Sequence, residues 1–176
     1  TPARRPYSRP ASRVASALFA LGGKSLGVPA VQCRGGAVRD SMPVLCTLAP
    51  GDTDQEIEEA ERKLAARLHK TFQVKIGAQS PEADMARMRR LANALNERAT
   101  LIVDANQTWD ETTALRCMPI LADIGVKLVE QPLPDWDIPG MARLRRRCNV
   151  PLLADESVFT THDMHNVAAA GAADAI

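Results

Sequence analysis

Residues 101–130 read LIVDANQTWDETTALRCMPILADIGVKLVE. Leu101 to Ala105 is a short run that is apolar on both faces except for one acid at its end, which suits a strand buried in a sheet. From Asp110 to Ile124 the apolar residues recur at helical spacing, and Lys127 to Glu130 then forms a second short apolar run closed by another acid. Strand, helix and strand within about 30 residues is the crossover unit that joins parallel strands, because two parallel neighbours need a long connection between them.

The same alternation extends in both directions. Strands are expected at Val44–Leu48, Phe72–Ile76, Leu101–Ala105, Lys127–Glu130 and Leu152–Ala154, with Ala173–Ile176 opening a sixth. Helices are expected at Asp54–His69, Pro81–Glu97, Asp110–Ile124, Pro139–Arg147 and Thr161–Ala170, several of them opened by capping residues such as Thr53, Ser80 and Thr160. Strands separated by helices form a parallel sheet, either doubly wound or closed into a barrel. Polar residues favour the barrel. Lys75, Asp104 with Asn106, Glu130, and Asp155 with Glu156 fall at the C-terminal ends of successive strands, where parallel barrels carry their active sites. The fold class expected is therefore α/β: a partial (β/α) barrel of about five βα units plus the start of a sixth strand.

Ahead of this region, residues 1–13 hold Arg4, Arg5, Arg9 and Arg13, three prolines and no acid. They read as a disordered basic tail rather than a targeting segment, since the apolar stretch behind them, Val14 to Leu21, is short and no small-residue cleavage site follows. A helix from Ser12 to Leu26 is stopped by Gly27 and Pro29, and Gly35-Gly36 marks a loop. The 176 residues are 45% hydrophobic and 24% charged, a globular composition without a membrane-spanning run. Lys+Arg 22 against Asp+Glu 21 leaves a formal charge of +1, so no global field recruits nucleic acid or anionic lipid. Cys33, Cys46, Cys117 and Cys148 lack zinc spacing and read as small buried hydrophobes kept reduced in a cytoplasm.

The acids carry the chemistry. Asp104, Glu130 and Asp155 recur 25 or 26 positions apart, close to one βα unit, on strands otherwise almost free of charge. Each alone also reads as a strand end or a helix cap. Three carboxylates on one rim repel one another unless a cation lies between them, and magnesium or manganese takes such hard oxygen ligands while leaving positions for water or a substrate carboxylate. Lys75, inside the run Phe72-Gln73-Val74-Lys75-Ile76-Gly77, precedes the first acid by one strand. A lysine buried beside a cation loses proton affinity by desolvation and like-charge repulsion, which suits it to proton transfer.

The stretches Val74-Lys75-Ile76-Gly77, Val103-Asp104-Ala105-Asn106-Gln107, Val129-Glu130-Gln131-Pro132 and Ala154-Asp155-Glu156-Ser157 resemble, in order, the strand ends of the enolase superfamily, most closely its muconate-lactonising subgroup. Gly35 to Ser41 resembles the passage from that family's cap domain into its barrel, and Ala17 to Pro29 its last cap helix. The resemblance implies a remnant of the cap domain and linker over 14–41 and the N-terminal half of the barrel over 42–176. It implies Asp104, Glu130 and Asp155 as ligands of Mn2+ or Mg2+, and Lys75 as the proton carrier. Asn106 and Gln73 would contact the substrate, and Glu156 would support the ligands from behind. The activity implied is that of a muconate or chloromuconate cycloisomerase in the catabolism of aromatic compounds: one carboxylate of a dicarboxylate adds across a double bond, and the carbanion held as an enolate is protonated. That lysine-and-metal pairing is the pattern already described for the superfamily.

Several positions depart from the family. Gln73 replaces the first lysine of its usual Lys-x-Lys, and Ala20 stands where an acid is common. Ile176 falls before the lysine of the sixth strand, so the resemblance implies truncation at both ends, with self-association through exposed sheet edges. Two other readings stay open: a dipeptide epimerase or racemase of the same superfamily, and a non-catalytic remnant that at most binds metal. Four further features are read as structural. Arg143, Arg145, Arg146 and Arg147 look like a solvated helix face, His162 and His165 an exposed pair, Trp109 and Trp136 loop-packing aromatics, and Gly51 and Gly77 turns.

Overall fold

The computed structural model describes residues 8–49 and 51–176 and separates into two compact units, Thr1–Pro43 and Val44–Ile176. In the first, α1 runs from Ser8 to Leu26. The expected tail at 1–13 thus lies partly outside the described residues, and its positions 8–13 are helical. Pro10 does not prevent this, because in the first turn of a helix the N–H that proline lacks has no intrahelical partner anyway. Gly27 at φ +67° ends the helix, and Val28 N–H donates to the Gly23 carbonyl at 2.9 Å. A Cβ on Gly23 would stand 2.8 Å from the Val28 carbonyl oxygen, so glycine is required for that close approach. A single 3-10 turn follows at Gln32–Arg34, with the Arg34 guanidinium 4.9 Å over the Phe19 ring.

The second unit alternates throughout: β1 (Cys46–Thr47), α2 (Thr53–Ala65), β2 (Thr71–Lys75), α3 (Pro81–Leu95), β3 (Thr100–Asp104), α4 (Glu111–Asp123), β4 (Leu128–Glu130), α5 (Ile138–Arg145), β5 (Leu152–Leu153) and α6 (Thr161–Ala170). Side chains open the helices as the sequence suggests, with Ser80, Asp110, Asp137 and Thr160 each accepting a backbone N–H from the first turn. At α2 the cap is Asp52 rather than Thr53, with Asp52 Oδ1 accepting from Asp54 N at 2.7 Å. The outer strands are shorter than expected. Among the described residues β1 finds partners only in β2, although Leu48 N–H still reaches the Gln73 carbonyl at 3.0 Å. The sixth strand is reduced to one parallel bridge, Leu153 to Ala175, steadied by Asp174, which accepts from Leu152 N at 2.9 Å and pairs with Arg145.

All pairings are parallel and the order is β1-β2-β3-β4-β5. A doubly wound sheet would reverse its strand order at a switch point. An unbroken sequential order with right-handed crossovers puts every helix on one face, the arrangement of barrel staves. Burial agrees, since Phe72, Val74, Val103, Val129 and Leu152 alternate along the strands and are fully buried in the core. α/β partial-barrel architecture is therefore present. Cys46 and Cys117 are buried and Cys148 half-buried, but Cys33 is exposed, unlike the buried thiol expected; all four are free. Among the described residues no helix is long and apolar enough to cross a membrane.

Candidate active site

Register decides which side chains meet. Lys75 stands opposite Asp104, Asp104 opposite Glu130, and Glu130 opposite Leu153. Partners across parallel strands share a face, and the period of two returns Gln73 to that face below Lys75. The core residues Phe72, Val74, Val103 and Val129 point the other way, into the helices. So the helix-facing side is apolar, and the opposite side ends in a lysine and two carboxylates on three neighbouring strands. Asp155 and Glu156 follow β5 on the loop beyond Leu153.

The lysine and acids are linked by hydrogen bonds. Lys75 Nζ donates to Asp104 Oδ2 at 2.5 Å and to Asn106 Oδ1 at 2.8 Å. Asn106 closes a short turn, its N–H on Asp104 Oδ1 at 2.9 Å, and passes the chain onward through Nδ2 to Glu156 Oε1 at 3.1 Å. Thr47 Oγ1 donates to Gln73 Oε1 at 2.8 Å, and Gln73 Nε2 donates to Glu130 Oε2 at 2.6 Å. Lys75 is not the desolvated lysine expected, because its side chain is 39% exposed and the charge it faces is the buried carboxylate of Asp104. Asn106 and Gln73, both expected to meet a substrate, are here bonded to protein groups.

Burial is the largest influence lifting the Glu130 carboxyl above the usual range, followed by repulsion from Asp104. Repulsion from Asp155 adds to this, while the Gln73 hydrogen bond and the Lys75 charge oppose it. Asp155 is raised in the same way by burial, Glu156 and Asp104, against Lys75. Glu156 keeps one buried oxygen, Oε2, without a hydrogen-bond partner. Crowded carboxylates that resist ionisation and an orphaned acidic oxygen form a donor set suited in kind to a hard divalent cation. Their present rotamers are not assembled for one: among the described residues no group of three or more His, Cys, Asp or Glu side chains is poised to hold an ion. Lys75 and Gln73 each engage one carboxylate oxygen, Oδ2 of Asp104 and Oε2 of Glu130. A pocket of about 470 Å³ opens beside Lys75, bounded also by Gly77, Asp84, Arg87, Asn106 and Thr108.

Two sets of residues escaped the sequence reading. Arg87, 8% exposed within α3, donates Nη1 to Glu56 Oε1 of α2 at 2.6 Å, Nη2 to Asp84 Oδ1 at 3.3 Å, and Nη2 again to the carbonyl of Lys75 itself. Asp84 Oδ2 accepts the Gly77 N–H at 2.7 Å. α3 thereby grips the backbone on both sides of the end of β2. Gln131, directly after Glu130, is completely buried and uses its whole amide. The remaining candidates do not join the site. His162 and His165 are exposed, Trp136 is exposed, Trp109 is buried in the core, and Arg143 and Arg145 pair with Glu111 and Asp174.

The family model Enolase C-terminal domain-like matches residues 55–176. Muconate cycloisomerase 1 of Pseudomonas putida is 41% identical over 162 residues, which is 92% of this chain and 43% of the relative. Chloromuconate cycloisomerase CbnB of Cupriavidus necator is 38% identical over 159 residues, 90% of this chain and 43% of the relative. Among solved structures, the muconate lactonizing enzyme from Pseudomonas putida superposes with a TM-score of 0.85 at 42% identity, covering 91% of this chain and 45% of that one. The chain thus spans less than half the length of the relatives it matches. By its family match, its sequential parallel sheet and the order of its strand-end acids, the chain belongs to the enolase C-terminal domain-like family.

Proposed function

We propose that this chain carries the metal-ligating rim and one proton-transfer lysine of a muconate or chloromuconate cycloisomerase. The reading is supported above all by the register of Lys75, Asp104 and Glu130 on one face of three adjacent strands. Asp104, Glu130 and Asp155 would hold Mn2+ or Mg2+, which when bound supplies stabilisation of negative charge next to a substrate carboxylate. Lys75 Nζ, half-exposed at the rim and already a donor, delivers or removes the proton at that carbon. Asp104 Oδ2 and Asn106 Oδ1 both accept from the ammonium, and Glu156 accepts in turn from Asn106 Nδ2, so the lysine is aimed across the site rather than free in solvent. Gln73 orients Glu130 and leaves beside Lys75 a neutral group that does not compete for the proton.

The substrate is a small dicarboxylate in a cytoplasmic setting. Pairing of Arg143 and Arg145 with acids argues against nucleic acid as a partner. The test is a Mn2+ titration of the chain followed by ultraviolet assay of cis,cis-muconate, with dipeptide epimerisation assayed in parallel. The expected result is one bound Mn2+ and muconate loss that EDTA abolishes. Epimerisation without muconate loss would replace the substrate class, and metal binding with neither turnover would leave a non-catalytic remnant.

Self-association is proposed on the same footing. Among the described residues of the second unit β1 pairs on one side only, and an open parallel edge presents unpaired N–H and C=O groups to another strand. Sedimentation velocity is expected to show a coefficient that rises with protein concentration. A single monomer boundary unchanged over a hundredfold range would contradict it.

A further inference from the structure

The buried side chain of Gln131 has no role in the chemistry above, yet it lies between two of the proposed ligands. Its Oε1 accepts the N–H groups of Asp155 and Ser157 at 3.0 and 3.2 Å, and its Nε2 donates to the Leu133 carbonyl and to Ser157 Oγ, both at 2.9 Å. A carboxamide has two acceptor sites and two donor hydrogens, and here all are used. The backbone around it is equally committed. Gln131 N–H donates to the Leu153 carbonyl at 2.9 Å, while its own carbonyl accepts from Gln107 N at 2.8 Å. Gln131 itself sits at φ +35°, and Asn106 and Gln107 at +43° and +68°, in the left-handed region that non-glycine residues rarely enter. Such conformations persist where the surroundings over-determine them, and three of the five in the described chain fall within three residues after the acids of β3 and β4.

The geometry points to Gln131 as a positioning residue that sets the distance between Glu130, its chain neighbour, and Asp155, whose backbone it grips. This deepens the proposed function and rests on it, since the distance matters only if both carboxylates share an ion. Outer groups that orient metal ligands typically contribute about 10–100-fold to affinity. Ser157 provides the control: it is bonded to Gln131 Nε2 and, through Oγ, to the Asp135 carbonyl at 3.0 Å, but Ser157→Ala leaves the Oε1 grip on Asp155 intact.

The experiment measures Mn2+ affinity by calorimetry in the parent chain, Gln131→Met and Ser157→Ala, with folding followed by circular dichroism and amide hydrogen exchange at Asp155 recorded without metal. Gln131→Met is expected to bind Mn2+ at least 10-fold more weakly and to exchange the Asp155 amide at least 10-fold faster. Ser157→Ala is expected to stay within about threefold of the parent in affinity. If Gln131→Met does not fold, Gln131→Asn, which keeps the amide but shortens its reach, carries the same expectation. Parent-like affinity in the Gln131 variants, or an equal loss in Ser157→Ala, would overturn the inference while sparing the metal reading. Absence of Mn2+ binding by the parent would remove both.

Discussion

Replacing Lys75 with methionine is expected to lower muconate turnover by about 10²–10⁴-fold, the usual contribution of a positioned general acid or base. The same change is expected to preserve or tighten Mn2+ binding. Lys75 Nζ sits 2.5 Å from Asp104 Oδ2 and is the nearest positive charge to that buried carboxylate. Removing it eliminates a resident competitor for a ligand oxygen, whereas a merely structural lysine would take the site down with it. Turnover and calorimetric affinity therefore move in different directions if Lys75 is the proton carrier. Parallel loss of both would assign it instead to holding Asp104 in place. Lys75→Arg sharpens the comparison, because the guanidinium keeps the charge and the salt bridge but does not give up a proton near neutral pH. It is expected to be as inactive as the methionine variant.

How far such a site can be read from sequence depends on which interactions have a periodic signature. Asp104 and Glu130 were legible as strand-end acids because Val103-Asp104 and Val129-Glu130 each close an apolar run, whereas Asp155 lies on the loop two residues beyond the register partner of Glu130. Period and register then follow from the pleat. Strand lengths were less legible, since β1 and β5 owe their two-residue extent to how many partners the neighbouring strand offers, which no local pattern encodes. The α2 cap was displaced by one residue because Asp52 and Thr53 are both good caps.

Side-chain environment was the least legible. Lys75 sits in an apolar run and so reads as buried, but its carbon chain reaches the rim, where the ammonium meets Asp104 and solvent. Arg87 lies in the run Met85-Ala86-Arg87-Met88-Arg89-Arg90, which reads as a charged helix face. Only the arrival of Glu56 from α2 and of the Lys75 carbonyl from β2 turns it inward. Gln131 reads as the first residue of a loop. For Arg87 the signal available was a charged residue set between Met85 and Met88 in a helix, and for Gln131 a polar residue directly after a strand-end acid.

Arg87 is where the largest loss of stability is expected. Arg87→Met keeps length and apolar bulk but leaves Glu56 and Asp84, 2% and 1% exposed, facing each other without their shared cation. Breaking a buried ion pair from one side typically costs about 3–5 kcal/mol. Urea denaturation of parent and variant should show that difference at pH 8. Its pH dependence follows from Glu56. Burial already holds that carboxyl above its usual range, with the Arg87 charge and hydrogen bond as the principal opposition. A carboxyl raised in the folded state contributes stability that is full below its unfolded value and is lost as pH rises through its folded value. Without Arg87 the folded value rises further, so the variant recovers stability on acidification over a range where the parent changes less. The gap is therefore expected to narrow from pH 8 toward pH 5, and Glu56→Gln combined with Arg87→Met should recover part of it at pH 8, since the pair is coupled. A gap below about 1 kcal/mol, the upper end for exposed ion pairs, or one that stays constant with pH, would mean that α3 grips β2 by packing alone. Lys75 would then be held without help from the buried charges beneath it.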